Sequence, residues 1–156
     1  MSTMNTLELK PAARRGGRGG KFLDFVIDGQ SLYELVGRQF DTVSCLAVWP
    51  NVDEVKHDVA RLVLREEADF PNNRRSLYVC GECGGLDCGA VSLIIEEKEE
   101  PQTIVWRDFG YQNNYDDALY EVSGVTWFEF NKEQYVKAIE ESLRTLQKMD
   151  EDDATS

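Results

Sequence analysis

Leu77-Tyr78-Val79-Cys80-Gly81-Glu82-Cys83-Gly84-Gly85-Leu86-Asp87-Cys88-Gly89-Ala90-Val91-Ser92-Leu93-Ile94-Ile95 is the stretch around which this chain is organised. Two apolar, β-branched runs flank a glycine-rich loop that carries three of the four cysteines, the pattern of a β-hairpin. Ser76 to Cys80 is expected to pair with Ala90 to Glu96. Glu97 to Gln102 then turns the chain, and Thr103 to Phe109 forms the next strand. Val91, Leu93 and Ile95 share one face of the second strand; Ile104 and Trp106 share one face of the third, with Val105 and Phe109 on the other.

Upstream, Phe22 to Ile27 reads as a strand ended by the turn pair Asp28-Gly29. Ser31 with Glu34 forms a capping-box pattern, which predicts a short helix from Ser31 to Val36 with Leu32, Leu35 and Val36 inward. Val43 to Trp49 predicts a buried strand ended by Pro50. Asn51 to Glu67 fits a helical period or a strand, and is read as a helical turn near Asp53 to Asp58 followed by a strand from Ala60 to Arg65. Downstream, Val125 to Phe130 predicts a strand. Asn131 caps a final helix with Gln134 at the third position, and Tyr135, Val136, Ile139, Leu143 and Leu146 line its inner face. The fold class is α+β: a mainly antiparallel meander of about five to six strands with a C-terminal amphipathic helix on one face.

The chain has 156 residues and 42% hydrophobic content, enough for one core. Residues 1–20 end in Arg14-Arg15-Gly16-Gly17-Arg18-Gly19-Gly20 and are read as a disordered basic arm. Residues 21–149 form one domain, and 150–156 an acidic, frayed tail. With 29 acidic against 17 basic side chains, the net charge of -12 repels nucleic acid and anionic membranes and attracts basic partners. Nucleic-acid contact is not expected beyond a weak one by the 14–20 arm, which also reads as a short flexible linker. No run of about 18 apolar residues is present, and the first twenty residues lack the apolar segment of a secretory signal, which predicts a cytoplasmic, reducing location.

In that setting the cysteines are thiols or metal ligands rather than disulfides. Cys80 and Cys83 have the two-residue gap that lets two thiolates reach one tetrahedral zinc; Cys88 would be a third ligand and Cys45 the best fourth. Cys80-Gly81-Glu82-Cys83 also reads as a redox dithiol, but Gly84-Gly85 opposes the helix whose N-terminus usually activates such a pair. The third reading is small apolar residues in a tight turn. His57 is read as solvent-exposed and, without a placed partner, supports no acid-base role. Trp106, Arg107, Asp108, Tyr111 and Tyr115 put aromatic and charged groups at a strand end and in the following loop, the composition that anchors protein interfaces.

Tyr78-Val79-Cys80-Gly81-Glu82-Cys83-Gly84, Cys88-Gly89-Ala90-Val91 and Val105-Trp106-Arg107-Asp108-Phe109-Gly110-Tyr111 resemble a family of small uncharacterised bacterial proteins. The resemblance covers roughly a quarter of the chain and implies a bacterial cytoplasmic protein, with no activity or cofactor attached. The leading expectation is a non-enzymatic acidic module that binds another protein, a basic one, as toxin-neutralising immunity or inhibitor proteins do. The rival is a zinc-binding or thiol redox protein centred on Cys80, Cys83 and Cys88.

Overall fold

A computed structural model describes residues 4–13, 21–36, 40, 42–48, 54–81, 86, 88–113 and 118–155, with the side chains of 152–155 excepted. The cysteine hairpin and its neighbours form the centre of a six-stranded antiparallel sheet. Its strands are β4 (Thr42–Ser44), β5 (Arg74–Cys80), β6 (Ala90–Glu99), β7 (Gln102–Gln112), β8 (Tyr120–Glu121) and β9 (Trp127–Asn131). Spatial order is β4-β5-β6-β7-β8, and β9 pairs with the first half of β7. Charged Glu97 to Glu99 extend β6 into the expected turn, so β6 and β7 run on until only Glu100 and Pro101 connect them. Tyr111, expected in a loop, is likewise still in β7.

The second sheet has three strands, β1 (Leu7–Ala13), β2 (Lys21–Ile27) and β3 (Gln30–Ser31). Asp28 and Gly29 both have positive φ, 53° and 84°, the backbone a two-residue hairpin needs. β1 corrects the expectation of a disordered arm over residues 7–13: it pairs with β2 from Leu7 opposite Ile27 to Ala13 opposite Lys21. Leu7-Glu8-Leu9-Lys10 carries a short two-residue alternation, with Leu7 buried and Glu8 and Lys10 exposed. Residues 14–20, between β1 and β2, lie outside the described residues.

Bridges join the two sheets at both edges. The expected strand from Val43 to Trp49 is regular only over β4; Cys45 to Val48 then bends across to the small sheet, where Ala47 bridges Phe22 and the Leu23 amide donates to the Leu46 carbonyl at 2.9 Å. At the far side Asn5 bridges Phe130. The Asn5 amide donates to the Glu129 carbonyl at 2.7 Å, and the Glu129 amide donates in return to Asn5 Oδ1 at 2.9 Å. The strands therefore follow one another round a common core of Phe25, Tyr78, Trp106, Phe130 and Tyr135, whose rings meet largely edge to face.

Among the described residues three helices complete the fold. α1 (Leu32–Leu35) starts at Ser31, whose Oγ accepts from the Glu34 amide at 3.1 Å as the capping pattern predicts. α2 (Val55–Leu62) replaces the expected strand from Ala60 to Arg65. Val55, Val59 and Leu62 share one buried stripe at helical spacing, and the helix ends with Leu64 at φ 65° and the Arg65 amide bonded to the Ala60 carbonyl. α3 (Lys132–Thr155) begins where expected, with Asn131 Oδ1 accepting from the Gln134 amide at 3.0 Å. It buries Tyr135, Ile139 and Leu146, and it continues through residues expected to be a frayed tail. The Gln134 side chain bonds both the amide and the carbonyl of Leu7, fastening α3 to the free edge of β1. Among the described residues no helix is long and apolar enough to cross a membrane.

Candidate functional site

The six-stranded sheet buries Val91, Leu93, Ile95, Ile104 and Trp106 against the core and leaves its other face partly open. On that face β7 carries one extra residue against β6: Ser92 faces Gly110, whereas Ile94 faces Arg107. The extra residue is Asp108, at φ 56°, a conformation that Asp tolerates better than most side chains. The bulge re-aims its neighbours. Arg107 bonds the carboxylates of both Glu96 and Asp108, and the Asp108 carbonyl turns to accept from Arg74 Nη2. The bond to Arg107 holds the Glu96 carboxyl below its ordinary range, and Glu96 in turn raises Arg107.

Arg74 is 5% exposed. Its Nε donates to Ser92 Oγ at 3.0 Å and Gln112 Oε1 at 3.1 Å, and Nη2 also reaches the Ser92 carbonyl at 3.1 Å. Ser92 Oγ closes the network by donating to Gln112 Oε1 at 2.5 Å. Burial pushes the guanidinium below its usual basicity, partly opposed by the Asp108 carboxylate. Above Arg74 lies a cleft of about 490 Å³ walled by Phe109, Leu119, Val122 and Val125, with Asp108, Glu121 and Thr126 at its rim. Apart from Phe109 of β7, the wall belongs to the segment that carries β8, which pairs with Gly110 and Tyr111. On the same segment and at the start of β9, Leu119, Tyr120 and Trp127 are 48%, 63% and 47% exposed. Lys98 stands over the Trp127 ring, 5.6 Å from its centroid.

Of the residues expected to meet a partner, Arg107 and Asp108 lie on this open face. Trp106 does not: it is 0% exposed and donates through Nε1 to the Tyr135 hydroxyl at 3.1 Å, which corrects its expected place at an interface. The two-residue period explains the difference, since Trp106 and Arg107 must point to opposite faces. Tyr111 is half-buried and stacks on Phe40 with centroids 4.2 Å apart, and Tyr115 lies outside the described residues. Sequence reasoning missed Arg74, which lies just before the expected strand from Ser76, and Leu119, Tyr120 and Trp127. Tyr120 and Trp127 carried a signal, as large aromatics next to turn-forming Ser123-Gly124. Arg74 carried none, because its site depends on a bulge 34 residues away.

The three described cysteines divide between two places. Cys88 is exposed and Cys80 half-buried. Both lie near the Tyr111 hydroxyl, which donates to the Cys88 carbonyl at 3.3 Å and is pushed up chiefly by burial, with the two thiols adding to the shift. Gly89 sits against the same phenol at φ 120°; a Cβ there would fall 2.2 Å from the Tyr111 oxygen. Cys45 is buried elsewhere, its amide bonded to the Leu77 carbonyl. Burial pushes its thiol well up, reinforced by Asp58 and Asp69. Among the described residues no three His, Cys, Asp or Glu side chains gather as a metal site; Cys83 lies outside them. His57 pairs with Glu66 at 2.9 Å, and Asp58 bonds Arg61 at 3.2 Å. No family model, curated protein or solved structure matches this chain.

Proposed function

We propose that the protein is a non-enzymatic acidic binding module that receives a basic protein on the open face of its large sheet, in the manner of an immunity or inhibitor protein. The carrying observation is the placing of exposed Leu119 and Trp127 with Glu121 and Asp108 on that face of a chain of net charge -12. Aromatic anchors inside a charged rim are the composition of binding hot spots, and the acidic field speeds encounter with a basic surface. Capture from cell extract with immobilised wild type and a Trp127→Ala variant tests this. A basic partner retained by the wild type, lost by the variant and weakened by salt is the expected outcome. Equal capture by both would place the partner on another surface.

The rival reading, zinc or thiol chemistry at the hairpin, is supported by the common position of Cys80 and Cys88 beside Tyr111. Elemental analysis of purified protein separates the two readings. Stoichiometric zinc that disappears in a Cys83→Ser variant favours the metal.

A further inference from the structure

Arg74 is a buried cation whose hydrogen bonds all go to neutral oxygens: Ser92 Oγ, the Ser92 and Asp108 carbonyls, and Gln112 Oε1. The carboxylate whose charge acts on it, that of Asp108, is bonded to Arg107 instead. Such an arrangement leaves the guanidinium desolvated without a bonded counter-charge, which buried cations ordinarily have. One of its nitrogens, Nη1, makes no hydrogen bond among the described residues. It is not sealed off either, because among them the only buried side-chain nitrogen or oxygen without a partner is Arg75 Nε. The open space beside Arg74 is the cleft, whose walls are apolar: Phe109, Leu119, Val122 and Val125.

We infer that this cleft binds a carboxylate carried on a small apolar body. The carboxylate accepts from Arg74 Nη1 and supplies the missing counter-charge, while the body packs on Phe109, Leu119, Val122 and Val125. Arg107, the other guanidinium nearby, is already paired with the carboxylates of Glu96 and Asp108, which leaves Arg74 as the cation that recognises the acid. The acidic rim, Asp108 and Glu121, disfavours dianions such as phosphate more than a single carboxylate. The site lies beneath the face assigned to a protein partner but does not depend on that assignment. Two sources share this chemistry, a free organic acid and the apolar C-terminal residue of a peptide.

Titration of the full chain, followed by amide chemical shifts, tests the site with four probes: 4-phenylbutyrate, its neutral amide, acetyl-leucyl-phenylalanine with a free C-terminus, and inorganic phosphate. The expected result is saturable binding of at least one apolar acid with shifts at Gly110, Leu119 and Val122, and affinity lower by at least about tenfold for the amide, the size of one charge-assisted hydrogen bond. Preference for 4-phenylbutyrate identifies a free acid as the source, and preference for the dipeptide a chain terminus. Val125→Trp, which fills the cleft from its apolar wall, is expected to abolish binding while the amide spectrum stays that of the folded chain. Arg74→Gln is expected to remove the discrimination between acid and amide. Equal binding of acid and amide, phosphate binding as tightly as the acids, undiminished binding by Val125→Trp, or no shifts with either acid would each overturn the proposal.

Discussion

Gly110 lies directly beneath Leu119: a Cβ at Gly110 would come within 2.6 Å of Leu119 Cδ1 and 3.1 Å of Arg74 Nη2. The bare backbone at this position lets the segment from Leu119 to Val125 close over the sheet. Gly110→Ala should therefore act on the cleft more than on the core. Leu119 is half exposed and can rotate away, whereas Arg74 is held by its hydrogen bonds and must shift the network with it. A loss of about 1–3 kcal/mol is expected, the usual cost of forcing an extra carbon into a filled space. Hydrogen exchange should accelerate at Val122, whose amide donates to the Phe109 carbonyl at 3.3 Å. Unchanged exchange there would show that the segment does not rest on Gly110.

Tyr135 ties three elements through one oxygen. Its hydroxyl donates to the Leu62 carbonyl of α2 at 2.6 Å and accepts from Trp106 Nε1 of β7 at 3.1 Å, while its ring stacks on Phe130. Tyr135→Phe keeps the ring and removes the oxygen, leaving the indole N–H without its acceptor in the core. Unsatisfied buried groups cost about 1–3 kcal/mol each, so a loss of about 2–4 kcal/mol in chemical denaturation is expected. A loss within experimental error would mean that water satisfies both groups.

Most of the sheet was legible because its signals are local. The β5–β6 hairpin, the Asp28-Gly29 turn and the Asn131 cap each depend on residues a few positions apart. What escaped depends on distant partners. β1 is a strand because β2 supplies its pairing and Gln134 its edge bonds, so Leu7-Glu8-Leu9-Lys10 alone was too short to outweigh the arginines and glycines that follow. The candidate site was half legible: Arg107 and Asp108 were found as charged strand-end residues, but the bulge that turns Asp108 toward Arg74 is a matter of register between β6 and β7. Ala60 to Leu62 were assigned to the wrong period because α2 is short and its sequence satisfies both.

Burial pushes the Asp58 carboxyl from its ordinary 3.8 up to about 7, with Asp69 adding to the shift and Arg61 and His57 opposing it. The folded chain thus holds this proton more tightly than the unfolded chain. The resulting stabilisation is complete below pH 3.8, declines as pH rises toward 7 and is gone above it. A shift of this size corresponds to at most about 4 kcal/mol. Asp58→Asn stays uncharged throughout, so it should gain stability relative to the wild type between those two limits and keep a constant advantage above them. Urea titrations of both proteins across this range measure the difference directly. A difference independent of pH would show that Asp58 ionises in the folded chain as it does in water.

Cys45 and Cys88 offer opposite accessibilities in one molecule. Cys45 is buried and its thiol is pushed well up by that burial, so its reactive thiolate is suppressed twice, by access and by proton affinity. Cys88 is exposed, and Cys80 is half-buried beside it. In a Cys83→Ser background, a thiol reagent should label Cys88 first, Cys80 next and Cys45 only through unfolding. The Cys45 rate should then rise with urea in step with the loss of global stability. Chelator treatment of the natural chain adds a second comparison: a chelator that exposes Cys80 and Cys88 but leaves Cys45 protected would place any metal at the hairpin without the core thiol. Labelling of Cys45 as fast as Cys88 in native buffer would refute its burial and reopen it as a ligand.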